Sequence, residues 1–284
     1  MQLYSSATPN LFAGTVNMPS RGGAVNAMYY KGTMPFALFF FNGMGETTGP
    51  VSQGLKNGPL GWINPSFQPK YSIFWIQGFG WGSDADRNAV YAQMKTLLGF
   101  TKVALIGLSE GAMLATEILT LGAKNPIAAD TVAFVCMSSQ ADDPVNKPAV
   151  APIVALGIPV MGTGDAGPDS TVDGHAQFTQ KFTGYLQAAN PKGTYPFVNT
   201  LGTGHGGWTA DTNPNAAFIN GMSIETWIMQ YASGGGTVVI PPSPTPITIK
   251  GTVISYSDGT SYTPTKAIKS VVINYTDGTS ETKP

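Results

Sequence analysis

A chain of 284 residues is long enough for one large core with a small additional unit. Its formal net charge is −1 and only 11% of its residues are charged, against roughly 25% in ordinary soluble proteins; with no basic run to neutralise phosphates, nucleic acid is not expected as a partner. A single cysteine, Cys136, allows no internal disulfide, and with only two histidines there is no Cys/His cluster for a metal, so no cofactor is expected.

Residues 1 to 33 are short apolar pieces broken by Pro9, Asn10, Gly14, Pro19 and Gly22-Gly23, which suits an antiparallel start with strands near Phe12–Val16 and Val25–Tyr30. Met1-Gln-Leu-Tyr-Ser-Ser lacks the basic start and apolar stretch of a leader, and no run of about 18 apolar residues follows anywhere. Pro35 to Phe41 is a continuous apolar run of strand length, ending in the loop Asn42-Gly-Met-Gly-Glu46. Tyr71 to Gln77 is a second such run and ends in Gly78-Phe-Gly80. Ser83 then reads as an N-cap with Asp86 three residues on. Val90, Met94, Leu97 and Leu98 follow at helical spacing before a Gly99 stop.

The pattern repeats along the chain. Strand Val103–Leu108 leads into helix Glu110–Leu121, strand Thr131–Met137 holds Cys136 as a core residue, and Gly157–Met161 reads as a further strand. Phe178, Phe182, Tyr185, Leu186 and Ala189 mark an amphipathic helix, Tyr195–Leu201 a last strand, and Ile224, Trp227, Ile228 and Tyr231 a closing helix. Apolar strands alternating with helices predict an α/β fold, a mainly parallel sheet covered on both faces. Residues 1–233 make this domain. Glycine and then proline dominate 234–246, which reads as a linker. Beyond it, Ile249–Ser261 and Ile268–Ser280 repeat one pattern of strand formers with Asp258-Gly259 and Asp277-Gly278 turns, predicting two β-hairpins over 247–284. So short a tail buries little by itself and is expected to dock on the main domain, another copy or a larger assembly.

The chemistry gathers where strand turns into helix at Gly107-Leu-Ser-Glu-Gly111. Composition alone supplies about 0.3 matches to Gly-x-Ser-x-Gly in such a chain, so the apolar strand before it and the small-residue helix after it carry the weight. Together they read as a nucleophile elbow that presents Ser109. Such a serine needs a base, a group to hold the base, and donors for an oxyanion. His205, in the glycine-lined loop Gly202-Thr-Gly-His-Gly-Gly-Trp208 after the last strand, is the expected base. His175, opening a helix, reads as a surface or capping residue. Asp165, past the end of a strand in Gly162-Thr-Gly-Asp165, is the expected acid, with Asp169 and Asp173 as alternatives. Backbone N–H groups of Glu110 and Met44 are the expected oxyanion donors. Trp81 and Trp208 are candidates for a substrate pocket.

These segments in this order resemble the α/β-hydrolase superfamily, and more narrowly carboxylesterases related to polyhydroxybutyrate depolymerases and feruloyl or acetyl-xylan esterases. The resemblance spans about residues 25 to 232. It implies an α/β-hydrolase-type sheet and a serine carboxylic-ester hydrolase working through an acyl-enzyme, on acyl or aryl esters of carbohydrates or on small or polymeric esters. In such relatives the oxyanion loop commonly reads His-Gly-x-Gly-Glu; here Asn42 stands in the first position. The rival expectation is a non-catalytic structural or adhesive component of a virion or cell-surface assembly built on a hydrolase fold. A surface of Gly, Thr, Asn and Ser leans toward an extracellular or particle-associated setting.

Overall fold

The computed structural model describes residues 2–5, 8, 10–44, 48–139, 147–167 and 174–232, with four short strands beyond them. The chain forms two compact units, residues 1–236 and 237–284.

In the first unit the described residues build one nine-stranded sheet. Strands β1 (Gln2–Leu3), β2 (Leu11–Met18) and β3 (Gly23–Tyr30) form an antiparallel edge, and β3 pairs antiparallel with β5 (Ser72–Ile76). From there the sheet is parallel through β4 (Phe36–Phe41), β6 (Lys102–Leu108), β7 (Thr131–Met137), β8 (Val160–Gly164) and β9 (Phe197–Asn199). The strand order is β1-β2-β3-β5-β4-β6-β7-β8-β9. This is the mainly parallel α/β sheet, with helices on both faces, that the alternation of strands and helices predicts.

The period-two alternation of β4 shows how the faces are filled. Ala37, Phe39 and Phe41 point to one core, Phe36, Leu38 and Phe40 to the other. The first core lies under α1 (Asp84–Leu98), α2 (Glu110–Thr120), α3 (Pro126–Asp130), α4 (Lys147–Leu156) and α5 (Gly174–Ala189). There the Phe39 and Phe74 rings stack at 4.1 Å. The second core is closed by α7 (Ile224–Ala232), through Ile224, Trp227 and Ile228, and by Leu60 and Ile63 of the segment after β4. Each such fully buried side chain contributes about 1.5–3 kcal/mol of apolar burial.

Two expectations shift. The strand expected at Gly157–Met161 runs over Val160–Gly164, because α4 occupies the preceding residues and ends at Leu156, just before Gly157, whose φ is 68°. The last strand is only Phe197–Asn199. No helix is long and apolar enough to cross a membrane among the described residues. In the second unit, β10 (Ile254–Ser255) pairs antiparallel with β11 (Ser261–Tyr262), and β12 (Val271–Asn274) with β13 (Ser280–Lys283). The two Asp-Gly turns lie outside the described residues.

Helix α1 is bounded as its sequence demands. The Ser83 hydroxyl accepts from the Asp86 N–H at 3.2 Å, and Gly99 closes the other end with φ 73°. Ser83→Ala leaves that N–H uncapped and is expected to lower stability by about 1 kcal/mol, read as a shift in the urea midpoint at unchanged slope.

Candidate active site

Ser109 sits at the single residue between β6 and α2, with φ 55° and ψ −123°. A side chain in this sparsely populated region costs on the order of 1–3 kcal/mol and persists only where the surroundings enforce it. Those surroundings are backbone. A Cβ on Gly107 would lie 2.6 Å from both the Ala112 Cα and the Gly111 carbonyl oxygen. On Gly111 it would lie 2.4 Å from the Phe41 and 2.5 Å from the Asn42 carbonyl oxygens. Both glycines are therefore required by contact, one for the tight turn and one for the approach of α2 to the end of β4. The Ser109 N–H is held by the Met137 carbonyl at 2.8 Å.

The structure brings His205 to this serine. Its Nε2 lies 3.0 Å from the Ser109 Oγ. The imidazole stands edge-on to the Trp208 indole, centroids 4.9 Å apart at 89°. Trp208 opens the short helix α6 (Trp208–Asp211) and packs with the core beneath α7. Asp165 is fully buried just past β8. Its Oδ2 accepts the Gly204 N–H at 2.9 Å and its Oδ1 the Gly167 N–H at 3.3 Å. The carboxylate is thus tied to the backbone one residue before His205. Asp169 and Asp173 lie outside the described residues.

His175, expected as a surface or capping residue, meets the imidazole of His205. It is half-buried near the start of α5, with its Nδ1 3.4 Å from the His205 Nδ1 and the rings edge-to-face at 4.8 Å. Which of the two rings donates in that pair depends on their tautomers. No local sequence signal marks this, because 30 residues and a strand separate the two rings.

The loop after β4 shows what Asn42 does. Its Oδ1 accepts the Trp75 indole N–H at 2.7 Å and its Nδ2 donates to the Gly43 carbonyl at 2.8 Å, both buried. The side chain thereby satisfies the core polar group of a fully buried tryptophan. Met44, 55% exposed, follows it; Glu46 lies outside the described residues. The Glu110 N–H opens α2, where the first amides have no partner within the helix. Trp81, 45% exposed, donates its indole N–H to Glu110 Oε1 at 2.8 Å. Cys136 is fully buried and burial pushes its thiol up to about 12, consistent with an inert core residue.

No family model matches this chain, and no curated protein matches it. Among solved structures it is similar to a hyperthermophilic esterase from the archaeon Pyrobaculum calidifontis, at 15% identity over 69% of this chain and 75% of that one, with a TM-score of 0.43. A thermophilic carboxylesterase cloned from a metagenomic library gives 14% identity over 70% and 82% of the two chains, TM-score 0.46. Carboxyl esterase 2 from the mycorrhizal fungus Tuber melanosporum gives 14% over 75% and 85%, TM-score 0.46. At these identities and scores none of them bears on the chemistry of this chain.

The helix that follows the His205 loop carries its own acid. Burial raises the Asp211 carboxyl from the ordinary aspartate range to about 7. Because the folded state holds this proton more tightly than the unfolded chain, stability is full below about pH 4 and declines as pH rises toward about 7. Asp211→Asn removes the penalty. Its melting temperature relative to wild type is expected to rise across that window and then level off, measured by thermal unfolding from pH 4 to 8.

Proposed function

We propose that this protein is a serine carboxylic-ester hydrolase. The single observation that carries the reading is Ser109 on a positive-φ strand-to-helix turn with the His205 Nε2 3.0 Å from its hydroxyl oxygen. His205 Nε2 takes the hydroxyl proton as the Ser109 Oγ bonds to the ester carbonyl carbon, and the carbonyl oxygen becomes the oxyanion of a tetrahedral intermediate. The backbone N–H groups of Glu110 and Met44 are the donors we assign to that oxyanion. The imidazolium then protonates the departing alcohol as the C–O bond breaks. Water, deprotonated by the same imidazole, attacks the acyl-enzyme and returns the serine.

Asp165 is the acid we assign, because its buried carboxylate holds the backbone of the His205 loop. The substrates in this reading are acyl or aryl esters of carbohydrates, or small esters, with Trp81 and Trp208 at the pocket. The narrower kinship with polyhydroxybutyrate depolymerases and feruloyl or acetyl-xylan esterases rests on the motifs alone. In the same reading 234–246 is a linker and 247–284 a tail that docks on another surface.

Ser109→Ala is expected to lower turnover of p-nitrophenyl acetate by roughly 10⁴-fold or more and to abolish labelling by a fluorophosphonate probe, read by intact mass. Wild-type protein inert to both reagents would leave the fold without the chemistry and favour the structural or adhesive role. Asp165→Asn, Asp169→Asn and Asp173→Asn identify the acid. The triad member is expected to lose roughly 10⁴-fold in kcat, and the other two roughly tenfold or less. Asp169→Asn or Asp173→Asn giving the larger loss would move the assignment.

A further inference from the structure

The chain has two histidines, and the fold brings both to one place although the proposed mechanism uses a single imidazole. Their Nδ1 atoms lie 3.4 Å apart and their rings meet edge to face at 4.8 Å. The loop that carries His205 is poorly suited to aiming a ring by itself. Gly204 and Gly207, within two residues of it, have φ 56° and 79°, and glycine restrains the backbone less than any other residue. The Asp165 carboxylate holds this loop through the Gly204 amide, whereas His175 meets the ring itself.

His175 comes from a firmer support. It is the second residue of α5, and the first turn of that helix is seated on the end of β8. Ala176 is fully buried, and a Cβ on Gly164 would lie 2.5 Å from its Cβ. One turn on, the fully buried Thr179 hydroxyl accepts the Ser139 N–H at 2.7 Å and donates to the His175 carbonyl at 3.1 Å. A side chain on a packed helix is placed more precisely than one on a loop. The contact is also nitrogen to nitrogen, which packing alone does not require. In a neutral imidazole one nitrogen donates and the other accepts, so a bond between two Nδ1 atoms needs opposite tautomers in the two rings. At 3.4 Å it is longer than the roughly 2.7–3.2 Å usual for such bonds, as catalytic hydrogen bonds often are before a ligand binds.

We propose that His175 is a positioning residue for His205. Its Nδ1 holds the His205 ring so that Nε2 faces the Ser109 hydroxyl, and ties the tautomer of that ring to its own. Asp165 secures the backbone of the loop and His175 the orientation of the imidazole, so two separate supports serve one side chain. The role rests on the hydrolase reading in making His205 the base, whereas the pairing of the two rings does not.

The test uses the full chain with replacements at position 175, each checked for an unchanged melting curve. His175→Phe keeps an aromatic edge and removes the nitrogen. His175→Asn removes the ring and keeps, near the place of Nδ1, an amide that can donate or accept. With p-nitrophenyl acetate, His175→Phe is expected to lower kcat roughly tenfold or more with KM within about twofold, as a misaimed base would. His175→Asn is expected to recover roughly threefold or more of that loss. If His175→Phe does not fold, His175→Ala takes its place. A smaller loss, a loss carried by KM, or no such recovery overturns the proposal. A second measurement needs no turnover. In isotope-labelled protein carrying Ser109→Ala, nitrogen NMR of the His205 ring reports its tautomer, and adding His175→Phe is expected to change the balance between the two forms; an unchanged balance overturns the pairing. A wild type inert to ester and to fluorophosphonate, in which that balance still responds, would keep the pairing and remove the hydrolase reading.

Discussion

The backbone contact between the start of α2 and the end of β4 is the constraint on which the site depends. Gly111 lies so close to the Phe41 and Asn42 carbonyls that no side chain fits between them. With the helix held there, the one residue joining it to β6 has no room for ordinary backbone angles, and Ser109 is carried into positive φ. Strain of about 1–3 kcal/mol at one residue is small beside the burial of two apolar cores. The sheet can therefore hold this conformation permanently, with the hydroxyl oriented before any ligand arrives.

The parallel sheet does the rest of the positioning. In β4, β6 and β8 the chain runs in one direction, so Asn42, Ser109 and Asp165 all leave the same edge. His205 arrives from the loop after the neighbouring β9. Loops carry more freedom than strands, and here it is restrained by a hydrogen bond and a ring contact. The Asp165 carboxylate fixes the Gly204 amide, and the Trp208 indole stands against the His205 ring. An imidazole 3.0 Å from a serine hydroxyl is thus the outcome of restraints on both sides.

The parts legible in the sequence are those whose cause is local. Ser83 and Gly99 bound α1 because a cap and a left-handed residue are readable where they stand. The apolar run of β4 and the glycines of the elbow were readable for the same reason. Helix α4 escaped because Pro148 and Pro152 argue against a helix in a short window, although a proline in the first turn is tolerated and packing against the core sustains the rest. With α4 unseen, the following strand was set three residues too early. His175 and Arg21 escaped for a different reason, since what they touch is decided by tertiary contact. The same two cationic or ionisable side chains now bear on the residues of most chemical interest, His205 and Trp81.

Asn42 shows how a departure from an expected pattern can be read physically. Histidine is usual at that place in the carboxylesterases the motifs resemble, and its replacement would count against the resemblance if the side chain met the ligand. Both polar atoms of Asn42 are spent inside the protein, on the Trp75 indole N–H and the Gly43 carbonyl. A histidine could supply one acceptor and one donor, but on a ring whose two nitrogens point apart; the amide places both on adjacent atoms of a shorter side chain. The tryptophan at position 75, fully buried in the central part of the sheet, requires the acceptor. The residue at 42 is then chosen by the core beneath the loop.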